Sequence, residues 1–221
     1  MVKVLIGVPT FENVYTETFK SIYDLKIPGG VECSLEFVKG YDCARARNLI
    51  MDKAHENDKP LYNYVFMVDS DIILPENALE LLLMSFDIVH RRAYIQGYKP
   101  GAILGAYPRK DGSNISDVFK LGTGYPNDNK LSIDEINNLA KSDDSLEYII
   151  RVNGGGFGCA LIDTEIFNFS TVSMPYFNYV NYPDGNILSE DLYFCSALRN
   201  AGYGVYLNTK VVCKHIGKKT Y

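Results

Sequence analysis

Short apolar runs alternating with segments of helical period predict an α/β fold, a mainly parallel sheet flanked by helices. Three observations carry this expectation. Apolar runs of strand length recur at Lys3 to Val8, Cys33 to Val38, Tyr64 to Asp69 and Ala102 to Ala106. Between them, apolar residues return at the spacing that puts them on one face of a helix. The third run ends abruptly in Asp69-Ser70-Asp71, which delivers two carboxylates to a strand's carboxyl end, where open α/β sheets keep their ligands.

The opening residues, Met1 to Pro9, are apolar over too short a stretch for a secretion signal or a membrane span, and read as the first strand, closed by Pro9-Thr10. Thr16 to Leu25 has apolar residues at helical spacing, and Cys33 to Val38 completes a strand-helix-strand opening. Ala44 to Ala54 repeats the helical pattern through Ala44, Leu49, Ile50 and Ala54, then leads through polar residues to the strand ending at Asp69. Pro75 stands where a first-turn proline belongs, and Leu79, Leu82, Leu83, Phe86 and Val89 give Glu76 to Val89 an apolar face. Ala102 to Ala106 is the next strand.

From Lys110 to Asp144 the composition shifts to Asp, Asn, Ser, Gly and Lys. One helix is expected there, at Ser132 to Ala140, because Ser132 and Glu135 have capping-box spacing. Loops longer than about 12 to 15 residues in a compact domain tend to be functional or disordered, so this stretch is expected to be a mobile or substrate-covering elaboration. Leu146 to Asn153 and Cys159 to Ile162 read as strands on either side of the glycine-rich turn Gly154 to Gly158. Ser189 caps a helix with Leu192, Cys195 and Leu198 on one side and Gly202 just past its end. Val211 to Cys213 is the last strand.

With 47% hydrophobic residues in 221, the chain can bury a sizeable core, and one domain over 1–221 is expected. A net charge of −5 argues against broad electrostatic binding to nucleic acid or anionic membrane. Five scattered cysteines without a Cys-x-x-Cys spacing indicate neither a disulfide framework nor a zinc site, and fit reduced thiols in a cytoplasmic protein.

Five groups of residues could carry chemistry, each with a structural reading beside it. Asp69 and Asp71 are hard oxygen ligands suited to Mg²⁺ or Mn²⁺ and a diphosphate, and equally suited to a turn and helix cap. The cluster Gly154 to Gly158 lacks the P-loop pattern and serves either a close ligand approach or a hairpin. Glu190 and Asp191, after Ser189, satisfy a helix N-terminus, and one of them could serve as general base. His215 is a structural residue or a metal ligand, while Arg45, Arg47 and Asn48 open a helix where a bound phosphate or plain solvation would offset the cations.

Taken in order, these features resemble the GT-A glycosyltransferases of the family 2-like type. The motifs are the first strand ending Gly7-Val8-Pro9-Thr10, the helix start Ala44-Arg45-Ala46-Arg47-Asn48, Asp69-Ser70-Asp71, the Gly154 to Gly158 turn with Phe157, Ser189-Glu190-Asp191, and Lys214-His215-Ile216-Gly217. The resemblance implies a Rossmann-like GT-A sheet with a nucleotide-sugar-binding half over 1–109 and an acceptor-binding, catalytic half over 110–221. It implies a nucleotide-diphosphate sugar donor, expected to be a UDP-sugar, and transfer with inversion. By this likeness Pro9, Thr10 and Glu12 line the base and ribose pocket, with Arg45, Arg47, Asn48 and Ser70 near the nucleotide. Asp69 meets ribose or metal, while Asp71 and His215 ligate Mn²⁺ or Mg²⁺. Gly155, Gly156 and Phe157 border the donor sugar and acceptor, and Asp191, paired with Glu190, is the base.

The acceptor is open: a glycan, a protein side chain, a small molecule or a modified nucleic-acid base. Competing readings are a retaining enzyme on the same scaffold using GDP-mannose, a nucleotidyltransferase, and a binding domain without turnover. The second lacks its expected glycine-rich basic loop, since Pro9 to Tyr15 contains neither Gly nor Lys or Arg.

Overall fold

The computed structural model describes residues 1–56, 59–122, 129–167 and 172–217. Nine strands form one sheet: β1 (Val2–Thr10), β2 (Val31–Lys39), β3 (Tyr64–Val68), β4 (Lys99–Ala106), β5 (Ile115–Lys120), β6 (Lys130–Ser132), β7 (Ile149–Gly155), β8 (Cys159–Asp163) and β9 (Tyr203–Val212). Their spatial order is β2-β1-β3-β8-β4-β9-β7-β5-β6. β1 pairs in parallel with β2 and β3, and β4 with β9; β8 runs against both of its neighbours. Six strands, β1 to β5 and β9, therefore point one way, with β6, β7 and β8 against them. The expected α/β class stands, and the opposed strands all belong to the second half of the chain.

Helices α1 (Thr16–Tyr23), α2 (Cys43–Lys53), α3 (Ala78–Gln96), α4 (Ile133–Leu139), α5 (Ser145–Tyr148) and α6 (Glu190–Asn200) accompany the sheet. Side chains of a strand alternate between faces, and the two cores follow that period. Leu5, Val65, Met67 and Leu104 pack with α2 and α6, whereas Val4, Ile6, Phe66 and Val68 pack with α1 and α3. Both faces of β1 are thus covered, which is why it reads as an unbroken apolar run. A Cβ on Gly7 would fall 2.3 Å from Ile50 Cγ2, so α2 lies close against β1 and brings its first turns to the sheet's carboxyl edge.

Several boundaries differ from the sequence reading. α3 begins at Ala78 with Asn77 as N-cap, and Pro75 precedes the helix, its carbonyl accepting from Ala78 N–H. Residues 145–148 form a helical turn ahead of β7, and the last strand reaches back to Tyr203. The polar stretch after Lys110 contributes β5 and β6 to the sheet's edge. Its expected helix is there, with the Ser132–Glu135 capping box formed. Residues 123–128 of that elaboration lie outside the described residues. All five cysteines are free, and among the described residues no helix is long and apolar enough to cross a membrane.

The glycine-rich turn has a steric cause. β7 pairs with β9 as far as Val152, then leaves it, pairs onward with β5 and crosses to β8, with β9 and β4 lying between. The crossing runs close to its neighbours: a Cβ on Gly156 would sit 2.1 Å from the Tyr107 hydroxyl.

Candidate functional site

A cleft of about 600 Å³ opens at the carboxyl ends of β1, β3 and β4, closed by the starts of α2 and α6 and by the β7–β8 crossing. The Asp42 side chain caps α2 by accepting from Arg45 N–H at 3.0 Å, and this start directs Arg47 inward. The Arg47 side chain is 1% exposed. Its Nη2 donates to Asp69 Oδ1 at 2.8 Å, and its Nη1 donates to Glu190 Oε1 at 2.6 Å and to Asp191 Oδ1. The α6 start is placed by the Ser189 cap, whose Oγ accepts from Leu192 N–H at 3.5 Å. The capping and site readings of Ser189-Glu190-Asp191 are thus compatible: the hydroxyl caps, and the two acids turn to Arg47.

One guanidinium faces three carboxylates, so the cluster carries a formal excess of two negative charges around a buried cation. Concentrated charge of one sign favours proton uptake. Burial is the largest influence on Asp191, with Glu190 and Asp69 acting in the same direction. They prevail over Arg47 and the Phe157 N–H, which donates to Asp191 Oδ2 at 3.2 Å, and push the carboxyl up to about 7.

A second cluster surrounds Asp71. Ile72–Ile73 pairs antiparallel with Lys214–His215, and Ile216 N–H donates to the Asp71 carbonyl at 2.9 Å, which brings the end of the described chain beside the aspartate. His215 Nε2 lies 3.5 Å from Asp71 Oδ1, and Lys110 Nζ lies 2.5 Å from Asp71 Oδ2. Burial opposes ionisation of Asp71, but hydrogen bonds from His215 and Lys110 outweigh it and lower the pKa. His215 Nδ1 is 2.8 Å from the Pro108 carbonyl, which only accepts, so Nδ1 carries the proton there. In the imidazolium Nε2 donates the hydrogen bond that lowers the Asp71 pKa; in the neutral ring it would instead turn its lone pair toward the carboxylate. Two such acceptors call for a shared cation, and an imidazole oriented by a carbonyl is the usual support of a metal ligand. Asp71 and His215 therefore fit a divalent ion.

Asp69 does not join them. Among the described residues no three His, Cys, Asp or Glu side chains gather where one ion could sit, so the expected trio Asp69, Asp71 and His215 is not brought together. Arg47 holds Asp69 instead. Tyr107, buried at the end of β4, packs its ring edge-to-face on His215 at 5.3 Å and accepts from Gly158 N–H at 3.1 Å through its hydroxyl.

The structure brings Pro9, Thr10, Ser70, Gly155 and Gly156 to the cleft wall, with Arg47, Asp69, Asp71, Glu190, Asp191 and His215. Four expected residues are elsewhere. Glu12 is exposed in an adjoining shallow pocket that shares Phe11 and Ser70 with the cleft. Arg45 points outward over the Tyr41 ring at 4.5 Å, as an exposed cation at a helix start does when Asp42 already caps it. Asn48 bonds both backbone groups of Phe177, at 2.8 and 3.1 Å, and so holds the neighbouring segment rather than a ligand. The Phe157 ring is buried between Phe177 and Phe194 at 5.6 and 5.5 Å, because its apolar face belongs to the core; only its N–H serves the site. Sequence reasoning missed Tyr107, Lys110, Asp117 and Lys130, all on the cleft wall. The first two follow the strand Ala102 to Ala106, so the strand-end logic that found Asp69 could have found them.

No family model matches the chain, and no curated protein matches it in sequence. Solved structures do share its fold. A197 from STIV superposes with a TM-score of 0.56 at 17% identity, over 98% of this chain and 86% of that one. GalNAc-T7, solved with UDP, GalNAc and Mn²⁺, superposes with a TM-score of 0.53 at 12% identity, over 98% of this chain and 44% of that one. The chain has the GT-A fold.

Proposed function

We propose that this GT-A chain is a glycosyltransferase that moves a sugar from a nucleotide-diphosphate sugar, a UDP-sugar, to an acceptor hydroxyl with inversion at the anomeric carbon. The observation that carries the reading is Asp191, a partly buried cleft carboxylate whose pKa is raised to about 7 and which Arg47 ties to the strand-end Asp69. A general base works best when its pKa lies near the working pH. GalNAc-T7, with the same fold, was solved with UDP, GalNAc and Mn²⁺, which supports a donor of this class.

In the proposed reaction the acceptor oxygen forms a bond to the anomeric carbon from the face opposite the diphosphate. The bond from that carbon to the diphosphate oxygen breaks, and the nucleoside diphosphate leaves with its electron pair. Asp191 receives the acceptor proton. Arg47 holds the Asp191 carboxylate by one oxygen and the Phe157 N–H orients the other, so the base is set before the acceptor arrives. Glu190 shares the same guanidinium nitrogen and keeps the Asp191 proton affinity high. Asp71 and His215 would hold Mn²⁺ or Mg²⁺, which when bound supplies positive charge to the leaving diphosphate.

Calorimetric titration with UDP and with GDP, each with and without Mn²⁺, tests the donor half of this reading. Mn²⁺-dependent binding of UDP is the expected result, and no binding of either nucleotide would sink it. Asp191→Asn should bind donor as the wild type does and lose transfer. Wild-type transfer by that variant would remove Asp191 as base, and retained anomeric configuration in the product would remove inversion.

A further inference from the structure

We propose that Lys110 is an exchangeable cation that occupies Asp71 until a nucleotide-bound divalent ion displaces it, and then transfers to the diphosphate. The inference rests on the donor site proposed above. Asp71 is the cleft carboxylate best placed for an ion, and its Oδ2 already accepts from Lys110 Nζ at 2.5 Å. The two partners differ in mobility. The Asp71 side chain is 15% exposed and pinned through its backbone, while that of Lys110 is 58% exposed.

The base of Lys110 is nevertheless fixed. Pro108 bridges to Ser116, Arg109 N–H donates to the Ile115 carbonyl at 3.1 Å, and Gly112 N–H donates to the Arg109 carbonyl at 3.1 Å. The same loop supplies the carbonyl that orients His215. A rigid turn thus carries a flexible ammonium, a point charge with three donors that can pass from a carboxylate to a phosphate oxygen without a backbone change. The other cleft lysine differs: Lys130 is committed to Asp117 at 2.6 Å, and its side chain is 13% exposed.

Two consequences follow. An ion arriving alone competes with Lys110 for Asp71 and binds poorly, whereas an ion arriving with a diphosphate offers Lys110 a new anion. Ion and nucleotide should therefore bind together, with Lys110 opposing the first alone and favouring the pair.

The test measures Mn²⁺ binding without nucleotide, from the electron paramagnetic resonance signal of free Mn²⁺, for the wild type, Lys110→Met and Lys130→Met. Calorimetry then measures UDP binding at saturating Mn²⁺. Lys110→Met should bind Mn²⁺ about tenfold tighter than wild type, the order expected from removing one charge-assisted hydrogen bond, and bind UDP with Mn²⁺ more weakly by a similar factor. Lys130→Met should leave the Mn²⁺ affinity near wild type. Unchanged or weaker Mn²⁺ binding by Lys110→Met, or equal tightening by both variants, would overturn the competition. Unchanged UDP binding by Lys110→Met would overturn the transfer to diphosphate. Failure of the donor reading looks different, because the wild type would then bind no nucleotide at any Mn²⁺ concentration.

Discussion

Replacing Arg47 by Met tests the central claim about the cleft, that one buried guanidinium holds three carboxylates together. Methionine keeps the apolar stem and deletes the charge. Asp69, Glu190 and Asp191 would then share a partly buried volume with no compensating cation. Removing one partner of a buried ion pair costs about 3–5 kcal/mol, because the charge left behind is uncompensated. The side chains of Asp69 and Asp191 are 28% and 16% exposed, so water relieves part of that penalty and the lower end of the range applies. The loss must also depend on pH. Arg47 lowers the Asp191 pKa, so without it the folded-state value rises still further above the unfolded value of about 4. A group raised in this way stabilises the fold below its unfolded pKa and loses that contribution as pH rises through its folded pKa. The deficit of Arg47→Met against wild type should therefore be small near about pH 5 and large near about pH 8. Urea unfolding followed by far-UV circular dichroism at both pH values measures it. A loss under about 1 kcal/mol at both, with no pH trend, would refute the clamp, since that is the range of an ordinary surface change.

Other outcomes follow from the same geometry. Asp191→Asn removes one negative charge from the cluster and leaves Arg47 paired with Asp69 and Glu190, so its thermal midpoint should equal or exceed wild type at about pH 8 and lose that advantage toward about pH 5, read by calorimetry. Because the base must be deprotonated, kcat/KM for transfer should climb as pH rises to about 7 and level above it; a profile flat from acid to neutral pH would remove Asp191 from that role. Gly156→Ala drives a methyl into the Tyr107 hydroxyl and should cost about 1–3 kcal/mol by overpacking. Adding Tyr107→Phe deletes the struck oxygen and should recover part of the loss. A double-mutant cycle with no coupling would show that the crossing relaxes some other way.

What could be read along the chain was read from local patterns. The switch from Tyr64-Val65-Phe66-Met67-Val68 to Asp69 marks a strand end because burial and ionisation are opposed within a few residues. The Ser132–Glu135 box and the Ser189 cap are equally local, as each hydroxyl serves an N–H three residues on. The first Lys3 to Ala106 elements emerged nearly as drawn for this reason. β5 and β6 did not, because short polar edge strands take their pairing from neighbours and not from their own period.

Residue type alone could not divide the helix starting at Cys43 into its roles. Arg45 and Arg47 are two positions apart, yet one is exposed and the other buried, since successive helix positions face different ways and only the packing of α2 on Gly7 says which faces the sheet. Phe157 was placed at the cleft by its motif, but its ring prefers the core with Phe177 and Phe194, leaving the backbone at the site.

The sequence by itself determined the α/β class, the strand-end acids Asp69 and Asp71, and the capped acidic start at Glu190 and Asp191, all of which depend on near neighbours. Tertiary structure alone decided that Arg47 would bind acids 22, 143 and 144 positions away, and that Lys110 and His215 would meet on Asp71. Those contacts balance charge around a cleft whose innermost group, Arg47, is buried, and which charges meet there is fixed only when the sheet has closed.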